Sequence, residues 1–171
     1  MDQEPEFEAE SINPGELGAM ADERSLSELK DRTAVSDVIL AFARSLDMKD
    51  WEGCRRCFLD EIETDYSDLR GEPPSRTSAA DFVAKRRAAL EHLKTLHLST
   101  NHQITVEGDG ATCVSAAVIH RLRPEDGERF DTYCTYTHTL RRTPSGWKIA
   151  RVKQTVHWNA GNPSIHEGAR R

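Results

Sequence analysis

An aspartate and a histidine are the side chains of this sequence best suited to proton transfer. Asp47 lies where a helical apolar pattern ends, and His97 lies in the alternating segment Leu96-His97-Leu98-Ser99-Thr100-Asn101-His102. A carboxylate that accepts the imidazole N–H fixes the tautomer and raises the basicity of the other ring nitrogen. If the two side chains meet, they can remove a proton from carbon. Taken alone, Asp47 is better explained as a solvated surface residue.

A second histidine and a tyrosine are candidates to assist such a base. Alternation places His120 on a face with Val118 and Leu122, where a histidine is more often a hydrogen-bonded core residue than a catalyst. Tyr66 either caps a cavity with its hydroxyl group or packs at the end of a strand. As catalytic groups, His120 and Tyr66 would protonate a leaving hydroxyl or stabilise an enolate.

No other catalytic motif competes with these residues. The sequence contains no G-x-S-x-G turn, phosphate-binding loop, G-x-G-x-x-G or H-E-x-x-H motif. Cys54 and Cys57 have the spacing of half a zinc site, but Cys113 and Cys134 are too far apart to complete its four ligands. We therefore expect buried or half-buried free thiols in a reducing cytoplasm, with no metal and no cofactor.

Length and charge limit the class of protein. The 171 residues fit one domain, with no apolar run long enough for a membrane span and no secretory signal. Residues 1–24 hold eight acidic residues and one basic residue, whereas residues 25–171 have a net charge of +1. We predict that 1–24 are an acidic disordered leader or a segment added in cloning. The nearly neutral remainder argues against nucleic acid as a partner.

Helical patterns dominate the first half of the chain. Ser25-Leu26-Ser27-Glu28 matches a capping box, and the apolar residues that follow have helical spacing, so a first helix should span about 26–47. Asp50 should cap a short second helix that ends near Phe58. The remaining elements expected here are a strand at 61–66, a loop at 68–75 and a third helix capped by Thr77 or Ser78.

The second half alternates between polar and apolar residues and predicts four strands in a meander. On the first strand, His97, Ser99 and Asn101 share one face, and the other face carries His102 and the apolar residues Leu96, Leu98, Ile104 and Val106. Gly108-Asp109-Gly110 is a strong hairpin signal. The later strands are expected at 111–122, 128–142 and 147–158. Helices followed by such a sheet predict an α+β fold, with a cavity between the helices and the curved sheet.

Several motifs occur in an order that is characteristic of one superfamily. They are Ser45-Leu46-Asp47-Met48-Lys49-Asp50-Trp51, Thr64-Asp65-Tyr66, Thr95-Leu96-His97-Leu98-Ser99-Thr100-Asn101, Ile119-His120-Arg121-Leu122-Arg123, Gly146-Trp147-Lys148-Ile149 and Trp158-Asn159-Ala160-Gly161-Asn162. Over about 26–162 the chain resembles the SnoaL-like branch of the NTF2-like superfamily, in particular the scytalone dehydratases and hexachlorocyclohexane dehydrochlorinases. The resemblance implies a cone-shaped α+β barrel that forms dimers or trimers and needs no cofactor.

The resemblance also implies roles for individual residues. Asp47 and His97 would form the catalytic base, while Tyr66 and His120 would hold the water and the leaving or carbonyl oxygen. The residues expected to bind the substrate are Leu46, Trp51, Asn101, Tyr136 and Trp158. Leu46 stands where the scytalone dehydratases have a tyrosine, and Tyr136 stands near the position of their substrate-binding asparagine. The dehydrochlorinases use an arginine near the pair Arg141-Arg142.

Three functions follow from these residues and this resemblance. The leading hypothesis is a cofactor-independent lyase, a dehydratase acting on a hydrophobic cyclic or polyketide-like small molecule. An isomerase or cyclase would use the same base, and a non-catalytic module would use the same cavity for a ligand or the same sheet for a partner. We expect the domain to span 25–162, with a tail at 163–171. A second copy should cover the partly apolar outer face of the sheet, giving a homodimer or homotrimer.

Overall fold

The helices precede a long meander of strands, as predicted for an α+β fold. The computed structural model describes residues 14–166, with side chains described from residue 22 onward. The elements are α1 (Pro14–Met48), α2 (Trp51–Arg56), β1 (Phe58–Asp65), α3 (Ser67–Arg70), β2 (Ser75–Ser78), α4 (Ala79–Leu90), β3 (Lys94–Glu107), β4 (Gly110–Leu122), β5 (Phe130–Thr143) and β6 (Gly146–Gly161), followed by a 3₁₀ turn at Pro163–Ile165. Within this range, no helix is both long enough and apolar enough to cross a membrane.

The six strands form one curved sheet in the order β2-β1-β6-β5-β4-β3. All neighbouring strands are antiparallel except β1 and β6, which are parallel. The predicted four-strand meander, β3 to β6, is therefore confirmed. The sheet is not closed, because β2 and β3 remain its two edges. The cone is thus an open, curved sheet covered by helices and not a closed barrel.

The junction between α1 and α2 fixes the position of Asp47 in the last turn of α1. Lys49 adopts a left-handed conformation with φ of 57°, and the backbone N–H of Asp50 donates to the Ser45 carbonyl at 2.9 Å, which together end a helix in the usual way. The Asp50 carboxylate then accepts from the Gly53 N–H at 2.8 Å and caps α2. The predicted cap at Asp50 is confirmed.

The start of α1 differs from the prediction. The helix begins at Pro14, so Ser25-Leu26-Ser27-Glu28 lies inside it and is not a helix cap. Residues 14–24, which we assigned to a disordered leader, are helical, because they contain several strong helix formers and continue a helix that tertiary contacts already hold. Pro14 is well suited to a first helical position. Residues 1–13 lie outside the described residues.

The region between β1 and α4 is more regular than the predicted loop. It contains the single turn α3 and the edge strand β2, whose residues pair with β1 from Glu61↔Ser78 to Thr64↔Ser75. Because β1 ends at Asp65, Tyr66 is not a strand residue and instead precedes α3. The Ser78 hydroxyl accepts from the Asp81 N–H at 3.0 Å and caps α4, as predicted.

The core lies between the helices and the inner face of the sheet. The rings of Phe42, Phe58 and Phe82 pack on one another with centroids 5.0–6.3 Å apart. The four cysteines are buried and free, which confirms the prediction. Ile165, only 2% exposed, also belongs to the core, so the packed unit extends beyond residue 162.

A β-bulge in β3 overturns the predicted faces of that strand. The register with β4 shifts by one residue between Thr100 and Gln103, and Asn101 adopts a left-handed φ of 54°. Alternation is therefore interrupted at the bulge. The residues before the bulge lie on the faces opposite to those that regular alternation with Ile104 and Val106 predicts. Leu96 and Leu98 lie on the outer face, 51% and 44% exposed. Ile104 and Val106, in contrast, pack against the core.

Candidate functional site

The structure brings Asp47 and His97 into direct contact. His97 Nδ1 lies 2.5 Å from Asp47 Oδ1, and the His97 backbone N–H donates to Asp47 Oδ2 at 2.8 Å. The Thr95 hydroxyl donates to Asp47 Oδ1 at 2.9 Å, and Lys49 Nζ donates to Thr95 Oγ1 at 3.3 Å. The side chains of His97 and Asp47 are 11% and 16% exposed. This network holds the carboxylate in one orientation against the imidazole.

The electrostatics of the pair favour an ionised aspartate and a neutral histidine. Burial raises the pKa of Asp47, but hydrogen bonds from His97 and Thr95 outweigh burial, so the pKa of Asp47 lies below its ordinary value. Burial lowers the pKa of His97, although Asp47 opposes the shift. An ionised Asp47 fixes the proton of His97 on Nδ1. His97 Nε2, which has no hydrogen-bond partner among the described residues, is then the basic nitrogen.

The space beside this pair is small. A cavity of about 20 Å³ lies between α1 and the inner face of the sheet, and it is lined in part by His97, Leu46, Ser99, Tyr136 and His138. This volume holds about one water molecule. The expected cavity therefore exists at the expected place, but side chains fill most of it. A ring-sized molecule can reach His97 only if side chains of α1 and the sheet move apart.

Two tyrosines lie along the interior on the side of the cavity away from α1. Tyr136 lines the cavity and its hydroxyl accepts from Gln154 Nε2 at 2.9 Å. Tyr66 is 9% exposed, and its ring lies edge-on to that of Tyr136, with centroids 6.5 Å apart. Burial raises the pKa of both phenols, so both remain protonated donors at neutral pH. Tyr136 therefore lines the cavity beside His97, whereas Tyr66 reaches it only through its contact with the Tyr136 ring.

His120 does not face this interior, which corrects its predicted role. It lies on the outer face of β4, 43% exposed, where its Nδ1 is 3.1 Å from Asp131 Oδ1. At the hairpin turn, Glu107 pairs with Gly110. If β3 had no bulge, the same register would pair His97 with His120. The bulge in β3 shifts the register by one residue, so His97 pairs with Ile119 and His120 pairs with Leu96.

Three of the residues expected to bind substrate also lie away from the cavity. Asn101 is exposed at the bulge, where it was predicted to share the face of His97. Trp51 donates from Nε1 to Glu91 at 2.9 Å beside α4. Trp158, 58% exposed, stacks on Tyr133 at 4.6 Å on the outer face of the sheet. Only Leu46 and Tyr136 of the five line the cavity.

The arginine pair near the last hairpin serves the fold. Arg142 makes two hydrogen bonds of 2.7 Å with the Asp31 carboxylate on α1, and its guanidinium lies 4.5 Å from the Trp147 ring centroid. Arg141 lies in an exposed position. Arg142 thus ties α1 to the β5–β6 hairpin, and it does not line the cavity beside His97.

The sequence reasoning missed several buried polar residues of the interior. They are Arg86, Arg121, His138, Gln154 and His166, each at most 8% exposed. The strand β4 is apolar on both faces, so alternation did not reveal that Arg121, and not His120, faces inward. Arg86 lies in a helix with mixed polarity. Only Arg121 could have been recognised from the sequence as a buried charge, because it is the charged residue that shares a face of β4 with Ala117 and Ile119.

No cation site is evident near these residues. Within residues 14–166, no three His, Cys, Asp or Glu side chains are grouped so that they could hold a metal ion.

Solved structures with the same fold cover most of the chain. The Kfla4162 protein from Kribbella flavida is 26% identical, with a TM-score of 0.77, and the match covers 81% of this chain and 97% of that protein. A hexachlorocyclohexane dehydrochlorinase (LinA) of type 2 is 18% identical, with a TM-score of 0.67 and coverage of 83% and 95%. A Novosphingobium aromaticivorans protein named for scytalone dehydratase is 16% identical, with a TM-score of 0.69 and coverage of 82% and 91%.

The sequence itself identifies the family. No curated protein matches it, but the model of the SnoaL-like domain matches residues 27–153. This match includes Asp47 and His97 and most of the curved sheet, and the solved structures have the NTF2-like fold that the motifs suggested. The chain belongs to the family of SnoaL-like domains.

Proposed function

We propose that the protein is a cofactor-independent lyase, a dehydratase in which His97 is the general base. The observation that carries this proposal is the 2.5 Å contact between His97 Nδ1 and Asp47 Oδ1, which leaves Nε2 free on the cavity side. A neutral imidazole is the form that can accept a proton, and burial keeps the pKa of His97 low enough for that form at neutral pH. Asp47 would orient the ring and stabilise the imidazolium that forms.

The reaction is the loss of water from a carbonyl compound with a hydroxyl group on the β-carbon. His97 Nε2 takes the proton from the carbon beside the carbonyl, and the electron pair of that C–H bond forms the new C=C bond. The C–O bond breaks, and the departing hydroxide takes the proton from the His97 imidazolium to leave as water, which restores the neutral imidazole. The protonated phenols of Tyr66 and Tyr136 would donate to the carbonyl oxygen as it gains negative charge. Tyr136 thereby takes the place that the sequence suggested for His120.

A hydrogen-exchange assay tests the base without knowledge of the natural substrate. 3-Hydroxycyclohexanone in D₂O would be incubated with the protein, and deuterium at the carbon beside the carbonyl would be followed by NMR. We expect His97→Gln to lower the exchange rate by about 10²–10⁴-fold, the usual contribution of a general base. In a parallel incubation in H₂O, loss of one water in the mass spectrum of the product would indicate a dehydratase, whereas a converted product of unchanged mass would favour the isomerase or cyclase.

The chain provides a matched control for that variant. His120 also pairs with a carboxylate, Asp131, but on the outer face of the sheet. His120→Gln should leave the exchange rate unchanged, because it removes a similar pair away from the cavity. Equal rates for the wild type and His97→Gln would refute the assignment of His97 as the base.

A second candidate is a non-catalytic module, because the small cavity beside His97 disfavours turnover of a ring-sized substrate. A volume of about 20 Å³ beside His97 is far below that of most ligand pockets. In this case Asp47 and His97 would be a structural pair joining α1 to β3. Binding of the ketone without exchange, equally in the wild type and in His97→Gln, would favour this function.

Self-association remains a prediction that several exposed side chains support. Leu96, Leu98 and Trp158 lie on the outer face of the sheet and are 44–58% exposed. A second copy would cover them and give the expected homodimer or homotrimer. Light scattering of the wild type and of Leu96→Glu would test this interface, since a buried glutamate should dissociate the oligomer.

A further inference from the structure

Three arginines from three separate elements point into the interior of the fold. Arg70 ends α3, Arg86 lies on α4 and Arg121 lies on β4. Arg86 and Arg121 are only 8% and 4% exposed. None of the three forms a salt bridge with a carboxylate of residues 14–166. Arginine does not lose its proton in proteins, so three positive charges lie in this part of the molecule. Among the described residues, Glu72 is the acidic side chain whose charge acts on Arg70, and it offsets only part of the effect of burial on the pKa of Arg70.

The partners that Arg86 and Arg121 contact are uncharged groups. Arg121 Nη1 donates to Thr132 Oγ1 at 2.9 Å and to the Phe130 carbonyl at 3.4 Å. The Arg86 guanidinium lies 4.8 Å from the Tyr66 ring centroid. Hydrogen-bonding capacity remains unused: Nε of all three arginines and Nη2 of Arg70 are buried without a hydrogen-bond partner.

The three charges are close enough to repel one another. The charge of Arg86 lowers the pKa of Arg70, and both charges lower that of Arg121, in each case after the larger effect of burial. All three lower the pKa of the buried His166. Burying a charge that lacks a partner destabilises the fold, and the mutual repulsion of the arginines adds to this cost. A bound anion would offset both.

A pocket gives access to two of these arginines, Arg70 and Arg86, from solvent. It has a volume of about 270 Å³ and is lined in part by Tyr66, Arg70, Arg86, Lys85 and Glu72. Glu72 is exposed and makes no salt bridge with the arginines. The volume is close to the lower limit of small-molecule sites.

The pocket adjoins the cavity of the proposed base. Tyr66 lines the pocket and contacts Tyr136, which lines the cavity beside His97. Arg121 is near enough to His97 for its charge to affect the imidazole. Movement of the two tyrosine rings would join the two spaces into one.

We propose that Arg70 and Arg86, which line this pocket, form a subsite for the anionic group of an organic acid, with the charge of Arg121 nearby in the interior. Guanidinium groups bind carboxylates through paired hydrogen bonds, for which these arginines have unused donors. The binding of an organic acid does not depend on the proposed function. Only the further step, that this acid is the substrate of His97, rests on it. It changes the expected substrate class from an uncharged hydrophobic molecule to a ring compound that carries an acid group.

Titration calorimetry with benzoate tests the subsite, and benzamide is the uncharged molecule of the same shape. We expect benzoate to bind at least tenfold more tightly than benzamide, and both Arg86→Met and Arg70→Met to remove at least tenfold of that affinity. Arg76→Met, which changes an exposed arginine of β2, should have no effect. Equal affinity for benzoate and benzamide would overturn the proposal, as would unchanged benzoate binding in both arginine variants.

Other probes identify the source of the anion and keep the two proposals separate. Binding of inorganic phosphate as tightly as benzoate would overturn the assignment of an organic acid, whereas a clear preference for benzoate or phenyl phosphate supports it. If a methionine variant fails to fold, as judged by circular dichroism, the comparison of benzoate with benzamide in the wild type decides. His97→Gln should retain benzoate binding. Exchange activity that persists in His97→Gln alongside tight benzoate binding would refute the base and leave the subsite supported.

Discussion

The buried histidine His138 should make folding stability depend on pH. It is 2% exposed on β5, its ring stacks on Tyr136 at 5.3 Å, and neither ring nitrogen has a hydrogen-bond partner among the described residues. Burial, with a smaller contribution from the charge of His102, lowers the pKa of His138 to about 3. The folded protein therefore keeps His138 neutral where the unfolded chain protonates it.

The size of this effect follows from the two pKa values. The unfolded imidazole titrates near about 6.5, and each pH unit between the two pKa values is worth about 1.4 kcal/mol. Because the unfolded state binds the extra proton, stability is complete above pH ~6.5 and decreases as the pH falls toward ~3. From pH ~7.5 to pH ~5, His138 should account for a loss of about 2 kcal/mol, or about 4–8 °C in melting temperature for a domain of this size.

The variant His138→Phe removes the proton and retains an aromatic ring beside Phe42 and Tyr136. Urea unfolding at a series of pH values would compare it with the wild type. Any change in packing shifts the whole curve of the variant, whereas loss of the titration reduces its slope below pH ~6.5. His157→Phe, at an exposed position of β6, is the control and should follow the wild type. Parallel curves for the wild type and His138→Phe would show that His138 is not held neutral in the folded state.

Further predictions concern the backbone, a helix cap, the thiols and the base. Gly161→Ala should lose at least about 2 kcal/mol in urea unfolding, because φ is +92° and the new Cβ would lie 2.2 Å from the Arg129 carbonyl oxygen. Ser78→Ala should lose about 1 kcal/mol by the same measurement, since α4 loses its cap. Burial raises the pKa of Cys54 to about 12, so a thiol reagent at pH ~8 should label it slowly in the folded protein and rapidly in guanidinium. Because burial lowers the pKa of His97, the exchange rate should remain constant as the pH falls to ~6.5 and decrease only below it; a decrease that begins above that pH would contradict a neutral His97.

Features set by local sequence were predicted well. The caps at Asp50 and Ser78, the hairpin at Gly108-Asp109-Gly110 and the strand meander each depend on a few neighbouring residues with strong preferences. The position of Asp47 in the last turn of α1 follows from the same kind of signal. The capping box at Ser25 failed because α1 continues through it. A local cap signal does not act where the preceding residues also favour helix.

Features set by register could not be read from alternation. The bulge at Asn101 moves each residue before it to the opposite face, so His97 faces inward and Leu96 faces outward. The same shift places Ile119, and not His120, opposite His97. A bulge adds one residue without a distinctive sequence signal, and its position depends on how the curved sheet packs on α1.

The sequence by itself determined the family, the order of the main elements and the two residues of the proposed base. Several motifs in a fixed order and local residue patterns carry this information. The tertiary structure decided which polar groups share the interior. His97 reaches Asp47 because β3 crosses the end of α1, and Arg70 and Arg86 line one pocket from two separate helices. A charged residue in a helix or strand gives no local sign that it will be buried beside others. Only packing of the helices on the curved sheet sets that environment.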